Sequence, residues 1–235
     1  DDGSFIETGL LGQSSVYAAD KERTPADGKI CGFGKIEGRD ISVSVNDFTV
    51  KGSSTSATNS KKVGHIRKYG SDRGMPVVFV GESTGARLPD AMGSKGMGAL
   101  LGNDITQFQR MRDTPWCAAA LGFSFGSSCW LACYSDFAVM RKGSTMAVSS
   151  PRLISMAIHA EVDLEELGGW RLHADTTGLV DMVVDTDEEA LDAIRKFLSY
   201  MPAHNMEAPP ELEVSKGSGK GIKDIGKIIP EKRSQ

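Results

Sequence analysis

The apolar positions of this chain fall into short clusters, and the period inside each cluster predicts its element. Pro76–Val80 and Cys117–Leu121 are unbroken runs of apolar or small residues bounded by Gly or Pro, the pattern of parallel strands buried on both faces. Lys29–Glu37 and Ile41–Val50 instead alternate apolar with polar or small residues, which predicts a β-hairpin turning at Gly38-Arg39. Around Thr58 to Tyr69, Val63 and Ile66 share one side among Lys and Arg, predicting a surface helix. Further helices are expected over Ala99–Arg112, Ser127–Tyr134 and Asp187–Tyr200, the last with an acidic first turn. Short strands are expected at Phe137–Met140 and Met146–Val148, either side of the Lys142-Gly143 turn, and at Leu179–Val184. Residues 1–27 show no strong period and read as a surface wrap. Strand pairs alternating with helices predict an α/β fold, a stack of β-β-α units on parallel sheets.

Two segments follow the buried runs directly: Gly81-Glu82-Ser83-Thr84-Gly85-Ala86-Arg87 and Gly122-Phe123-Ser124-Phe125-Gly126-Ser127-Ser128. A small-residue loop leaving the carboxyl end of a strand and entering a helix exposes N–H groups with no intrahelical acceptor. Two such loops on neighbouring strands can aim their N–H groups at one oxygen and stabilise an oxyanion. Both also match G-x-S-x-G, the nucleophile elbow of serine hydrolases. Asp181 and His204 stand in the order a triad would need, although His204 falls in what reads as a linker. His65 reads as solvated, His159 and His173 as structural, and the Glu165-Glu166 and Glu188-Glu189 pairs as exposed helix faces.

Composition narrows the classes. The 235 residues carry a net charge of -4 and no basic stripe, which argues against nucleic acid. No run approaches the ~20 apolar residues of a membrane span, and the first residues lack a signal pattern. Cys31, Cys117, Cys129 and Cys133 sit in apolar surroundings without a C-x-x-C pair or a nearby His, so free buried thiols in a reducing compartment (cytoplasm or mitochondrial matrix) are expected, with no metal. After Pro202 the chain turns to Pro, Glu, Gly and Lys. Residues 1–202 thus read as the domain and 203–235 as a linker.

The order of motifs carries a resemblance. Asp27-Gly28-Lys29-Ile30-Cys31-Gly32-Phe33-Gly34-Lys35-Ile36-Glu37-Gly38-Arg39, then Asn46-Asp47-Phe48-Thr49-Val50 and Gly52-Ser53, resembles D-G-x-x-x-G-x-G-x-I-x-G-R…D-F-T-V-x-G-G. That pattern belongs to the carboxyltransferase (β) subunits of biotin-dependent acyl-CoA carboxylases of the propionyl-CoA and acetyl-CoA type. Ser83-Thr84-Gly85-Ala86-Arg87 is similar to that family's S-G-G-A-R, Glu165-Glu166-Leu167-Gly168-Gly169 to its E-E-L-G-G, and Leu198-Ser199-Tyr200-Met201-Pro202 to its L-S-Y-L-P. Asp187-Glu188-Glu189-Ala190 matches D-E-E-A, and Asp2-Gly3-Ser4-Phe5-Ile6-Glu7 echoes the entry segment. Gly122 to Asp136 also resembles the glycine segment of crotonase-type hydratases, with Trp130 where those carry a glutamate.

The resemblance implies the N-terminal half of a carboxyltransferase with a crotonase-like spiral of β-β-α units. Implied with it are an acyl-CoA thioester as substrate, biotin on a separate carrier, and a site completed by a C-terminal half, with biotin carboxyl carrier and biotin carboxylase as partners in a homo- or hetero-oligomer. It implies backbone N–H donors at Thr84, Gly85 and Ser127, and substrate contacts from Ser83, Ala86, Arg87, Phe123, Ser124 and Gly126. Arg87 is expected to anchor the first loop or to meet a CoA phosphate. The chain departs from the family at Thr84, at Phe125-Gly126-Ser127-Ser128 and at Ser155–Glu161, so the acyl group and the direction of reaction stay open. A decarboxylase, a crotonase-fold serine hydrolase or peptidase and a non-catalytic scaffold remain as alternatives.

Overall fold

The computed structural model describes residues 1–14, 16, 23–91, 113–211 and 213. One eight-stranded sheet organises them. Strands β1 (Ile6–Thr8) and β3 (Arg39–Asn46) each pair antiparallel with β2 (Lys29–Ile36), which lies between them. From β3 onward β4 (Val77–Ser83), β5 (Trp116–Phe125), β6 (Phe137–Arg141) and β8 (Met182–Val184) run parallel in that order. Strand β7 (Thr145–Ala147) pairs with the far end of β5. The hairpin forms as the alternation predicts, but it turns at Glu37-Gly38, both at positive φ (51° and 77°), the backbone sign of a type I′ turn matching strand twist. Within residues 1–27, β1 pairs with β2 where no strand was expected, because its three residues are too few to show a period.

Both sheet faces are covered, which is why the buried runs lack alternation. Val78, Val80, Cys117, Ala119 and Leu121 face a core closed by Ile194 and Leu198 of helix α6 (Asp187–Tyr200). Val77, Phe79, Trp116, Ala118 and Ala120 face the opposite core, closed by Cys129 and Ala132 of α3 (Ser127–Tyr134). Helix α1 (Ala57–Asp72) lies on that second side and begins with a capping box between Ser56 and Asn59. It runs three residues beyond Tyr69 and buries Lys62 and Arg67 with Ile66, so it is far less a surface helix than its charge suggests. The remaining helices are α2 (Leu88–Ala91), α4 (Pro151–Ile158) and α5 (Leu164–Gly168), followed by a π-helical turn at Leu172–Thr177.

Several boundaries differ from the expectation. Leu179–Val184 contributes only Met182–Val184 as strand, and Met146–Val148 is shifted to Thr145–Ala147. Strands β4 and β5 both run past the apolar runs into the glycine segments, β4 to Ser83 and β5 to Phe125. The expected helix at Ala99–Arg112 lies outside the described residues. Of the expected linker, Asn205 is tied back to Asp113 by a backbone bond of 2.8 Å and a side-chain bond of 3.1 Å. Among the described residues no helix is long and apolar enough to cross a membrane.

Candidate functional site

The first glycine segment leaves β4 and runs beside residues 52–55, bridged at Thr55 and Ala86. Thr84 N–H donates to the Gly52 carbonyl at 2.9 Å, Thr55 N–H to the Gly85 carbonyl at 2.8 Å, and Arg87 N–H to the Thr55 carbonyl at 2.8 Å. Gly85 N–H donates to Ser83 Oγ at 3.2 Å. This corrects the expectation at Thr84: its N–H already has an acceptor, and that of Gly85 has a longer one. Between them stands Ala86, exposed, whose N–H has no acceptor among the described residues.

The second segment behaves differently. Residues 122–125 continue β5 in pairing with β7, and the chain breaks only at Gly126, with φ 64° and ψ -121°. A β-carbon on Gly126 would lie 3.4 Å from the Gly85 Cα and 3.9 Å from the Ala86 nitrogen. Both glycines hold positive φ, so the pair lets the two turns meet backbone to backbone where side chains would hold them apart. Gly126 N–H donates to the Ala147 carbonyl at 3.2 Å. The N–H groups of Ser127 and Ser128 then open α3 and have no intrahelical acceptor. The Ser127 hydroxyl and the Thr55 hydroxyl share a 2.7 Å hydrogen bond that ties the helix start to the first segment.

Beneath the first segment is a buried polar knot. Arg87 is 5% exposed, and its guanidinium meets Asp27 at 2.6 Å, Ser54 Oγ at 3.1 Å and the Ser54 carbonyl at 3.1 Å. Ser56 also donates to Asp27. The anchor reading of Arg87 therefore holds, and a direct contact with a CoA phosphate does not, because the guanidinium is enclosed. Ser83 is likewise buried, donating to the Ser53 carbonyl at 3.0 Å. Phe123 is exposed and stacks on Phe125, 5.8 Å between ring centroids. Ser124 lies inside β5 with its hydroxyl 3.4 Å from the Gly81 carbonyl.

Neither serine sits on an elbow. Of the histidines, His173 is held between Thr177 and the Met146 carbonyl, His204 faces Glu207, and His65 and His159 are exposed. No described histidine bonds to either serine. Cys133 is exposed, against the expectation of four buried thiols. A hydrogen bond from Cys129 draws its pKa down to about 7, while that same bond, together with burial, holds Cys129 above the usual thiol range.

A cavity of about 310 Å³ opens behind the second turn, between α1 and α3. Its lining includes Thr55, Ser124, Ser127, Ser128 and Lys29, the last absent from the sequence expectations for the site. Lys29 is 4% exposed. Its ammonium donates to Asn46 Oδ1 at 2.7 Å and to the Ser53 carbonyl at 3.0 Å. Burial, with a smaller contribution from Arg87, lowers its pKa to about 7 against the opposing pull of Cys31 and Asp27. A lysine opening an alternating strand carries no local signal of burial; α1 crossing above it supplies that.

The family model for the carboxyl transferase domain matches residues 1–235. The carboxyltransferase subunit of a propionyl-CoA carboxylase from Haloferax mediterranei is 30% identical over 98% of this chain and 45% of its own length. The methylmalonyl-CoA decarboxylase α subunit of Propionigenium modestum is 30% identical over 90% of this chain and 41% of its own. Among solved structures, transcarboxylase 12S with hydrolysed methylmalonyl-coenzyme A bound superposes with a TM-score of 0.82 at 28% identity, covering 92% of this chain and 42% of that one. The chain thus spans less than half the length of these relatives.

Proposed function

The chain belongs to the carboxyl transferase domain family, and from that premise we propose that it forms the acyl-CoA side of a carboxyltransferase site. The observation that carries this is the meeting of the two turns. Ala86 N–H and Ser127 N–H, on segments joined through Gly85 and Gly126, are the donors available to one thioester oxygen. Removing an α-proton from a thioester moves charge onto that oxygen, and fixed N–H donors stabilise it without reorganising. One such donor contributes about 10²–10³-fold in rate. Gly85 N–H stands beside them as a weaker candidate, since Ser83 Oγ takes it at 3.2 Å. Biotin on a separate carrier supplies the activated carboxyl group and the base for the α-proton, so the chain itself needs no acid–base side chain. Its own residues bind, orient and polarise the thioester.

The complete enzyme on this reading adds a C-terminal carboxyltransferase half, a biotin carboxyl carrier and a biotin carboxylase in an oligomer. A decarboxylating direction is supported by the methylmalonyl-CoA decarboxylase relative; the same donors serve the enolate in either direction. Calorimetric titration with acyl-CoA esters and with free CoA tests the proposal. Acyl-CoA is expected to bind at least tenfold tighter than free CoA. Equal affinities would remove the oxyanion role from these turns.

A further inference from the structure

Lys29 fills the first unspecified position of the D-G-x-x-x-G pattern, and its side chain ties together the two turns from behind. One ammonium N–H donates to the Ser53 carbonyl at 3.0 Å, which also accepts Ser83 Oγ at 3.0 Å. Ser83 Oγ in turn takes Gly85 N–H at 3.2 Å. A second ammonium N–H donates to Asn46 Oδ1 at 2.7 Å, and Asn46 Nδ2 donates to Ser128 Oγ at 3.3 Å. One arm thus ends beside Ala86 and the other at the opening of α3, beside Ser127. The side chain is buried and reaches the wall of the cavity that Ser127 and Ser128 also line. Its charged and titratable neighbours are Cys31 on the same strand, Asp27 just before it, Arg87 from the first segment, and Lys62 from α1, whose ammonium donates to the Lys29 carbonyl. Asp27 is engaged by Arg87 and Ser56. From β3 and α3 the ammonium meets neutral groups, Asn46 and, through it, Ser128.

We propose that Lys29 is a positioning residue of the site: it pins both turns and sets a positive charge behind the place where the thioester oxygen gains its negative one. The inference rests on the thioester reading above and deepens it, adding a charged group to the backbone donors. A cation held in a low-dielectric interior acts on a developing charge more strongly than the same cation in water. Its bond to Asn46 Oδ1 also polarises that amide towards Ser128. Burial, which lowers the Lys29 pKa to about 7, places the gain and loss of this charge near neutral pH. An ammonium has three donors; the neutral amine keeps two, enough for Asn46 and the Ser53 carbonyl. Losing the proton therefore removes the charge and leaves both arms, so charge and scaffolding can be separated by experiment.

The test is infrared spectroscopy of propionyl-CoA, labelled with carbon-13 at the thioester carbonyl, bound to the full chain between pH 6 and pH 9. Binding is expected to lower the carbonyl stretch, and to lower it further in acid than in base, with a midpoint near pH 7. Carbon-13 NMR of the lysine ε-carbons is expected to show Lys29 titrating at the same midpoint. Lys29→Arg should keep the lower wavenumber across the range without a step; Lys29→Met should give the smallest shift, also without a step. A carbonyl that binding shifts but pH does not would overturn the charged role and leave the thioester reading intact. So would a step that persists in either variant, a step away from the lysine midpoint, or a shift in Lys29→Met as large as in the parent. A carbonyl stretch unmoved by the protein at every pH would remove the thioester reading and this inference together. The parent's two midpoints and the Lys29→Arg profile decide the matter even where Lys29→Met fails to fold.

Discussion

Replacing Arg87 by Met should unfold the site before it changes any chemistry. The guanidinium is almost wholly enclosed, Asp27 is fully buried, and the three Arg87 bonds to Asp27 and Ser54 all lie between 2.6 and 3.1 Å. Met fills much of the same volume but leaves the Asp27 carboxylate with Ser56 as its remaining donor of this group. Removing one partner of a buried ion pair costs about 3–5 kcal/mol, a large share of the ~5–15 kcal/mol that holds a domain folded. Urea unfolding followed by circular dichroism measures it, with the midpoint falling at nearly unchanged slope. The double variant Asp27→Asn with Arg87→Met is expected to recover part of the loss, since the Asp27 charge is then removed together with its partner, while Asp90, 3.8 Å from Arg87, still loses its own. A single Arg87→Met variant within about 1 kcal/mol of the parent would refute the anchoring role.

Two further outcomes follow from the same geometry. Lys29 titrates in the folded chain near pH 7 and in the unfolded chain near 10.5, so the unfolded state binds more protons between those values and stability should rise with pH across that window. The slope approaches about 1.4 kcal/mol per pH unit. Urea midpoints measured from pH 7 to 10 check it; an unchanged slope in Lys29→Met would refute the attribution. Ser124→Ala should bind acyl-CoA within about tenfold of the parent, or ~1.4 kcal/mol, and a fluorophosphonate probe should label neither Ser124 nor Ser83; labelling of either would restore the hydrolase reading.

The strands that begin as apolar runs were legible because burial on both faces writes itself into consecutive residues. Cys117–Leu121 is the clear case. The continuation through Gly122–Phe125 was not, since its composition is that of a loop and it is strand only because β7, twenty residues later, pairs with it. Helix α4 was missed for a different reason. Pro151 opens it as expected of a first-turn proline, but it ends at His159 in a left-handed conformation, φ 54°, where a glycine would have marked the stop. At the site, the sequence located both glycine segments and the role of Ser127 as a helix opener. It could not tell which first-segment N–H stays available, because that depends on residues 52–55 pairing with Thr84, Gly85 and Arg87 across thirty positions of chain. Lys29 was invisible for the same reason, its burial being imposed by a helix that is remote in sequence.

The knot around Arg87 has a consequence for how the chain reaches its working state. Asp27 and Arg87 are 60 residues apart, and Thr55 and Ser127 are 72 apart. Each closure must overcome loop entropy before its bonds form, which makes such contacts slow. The meeting of the turns at Gly85 and Gly126 therefore depends on β2, α1, β4 and α3 all being in place. A chain still emerging during synthesis cannot bring the two turns together before residue 127 has been made. On the proposed thioester reading, the two donors become available to one oxygen only once these distant closures are made.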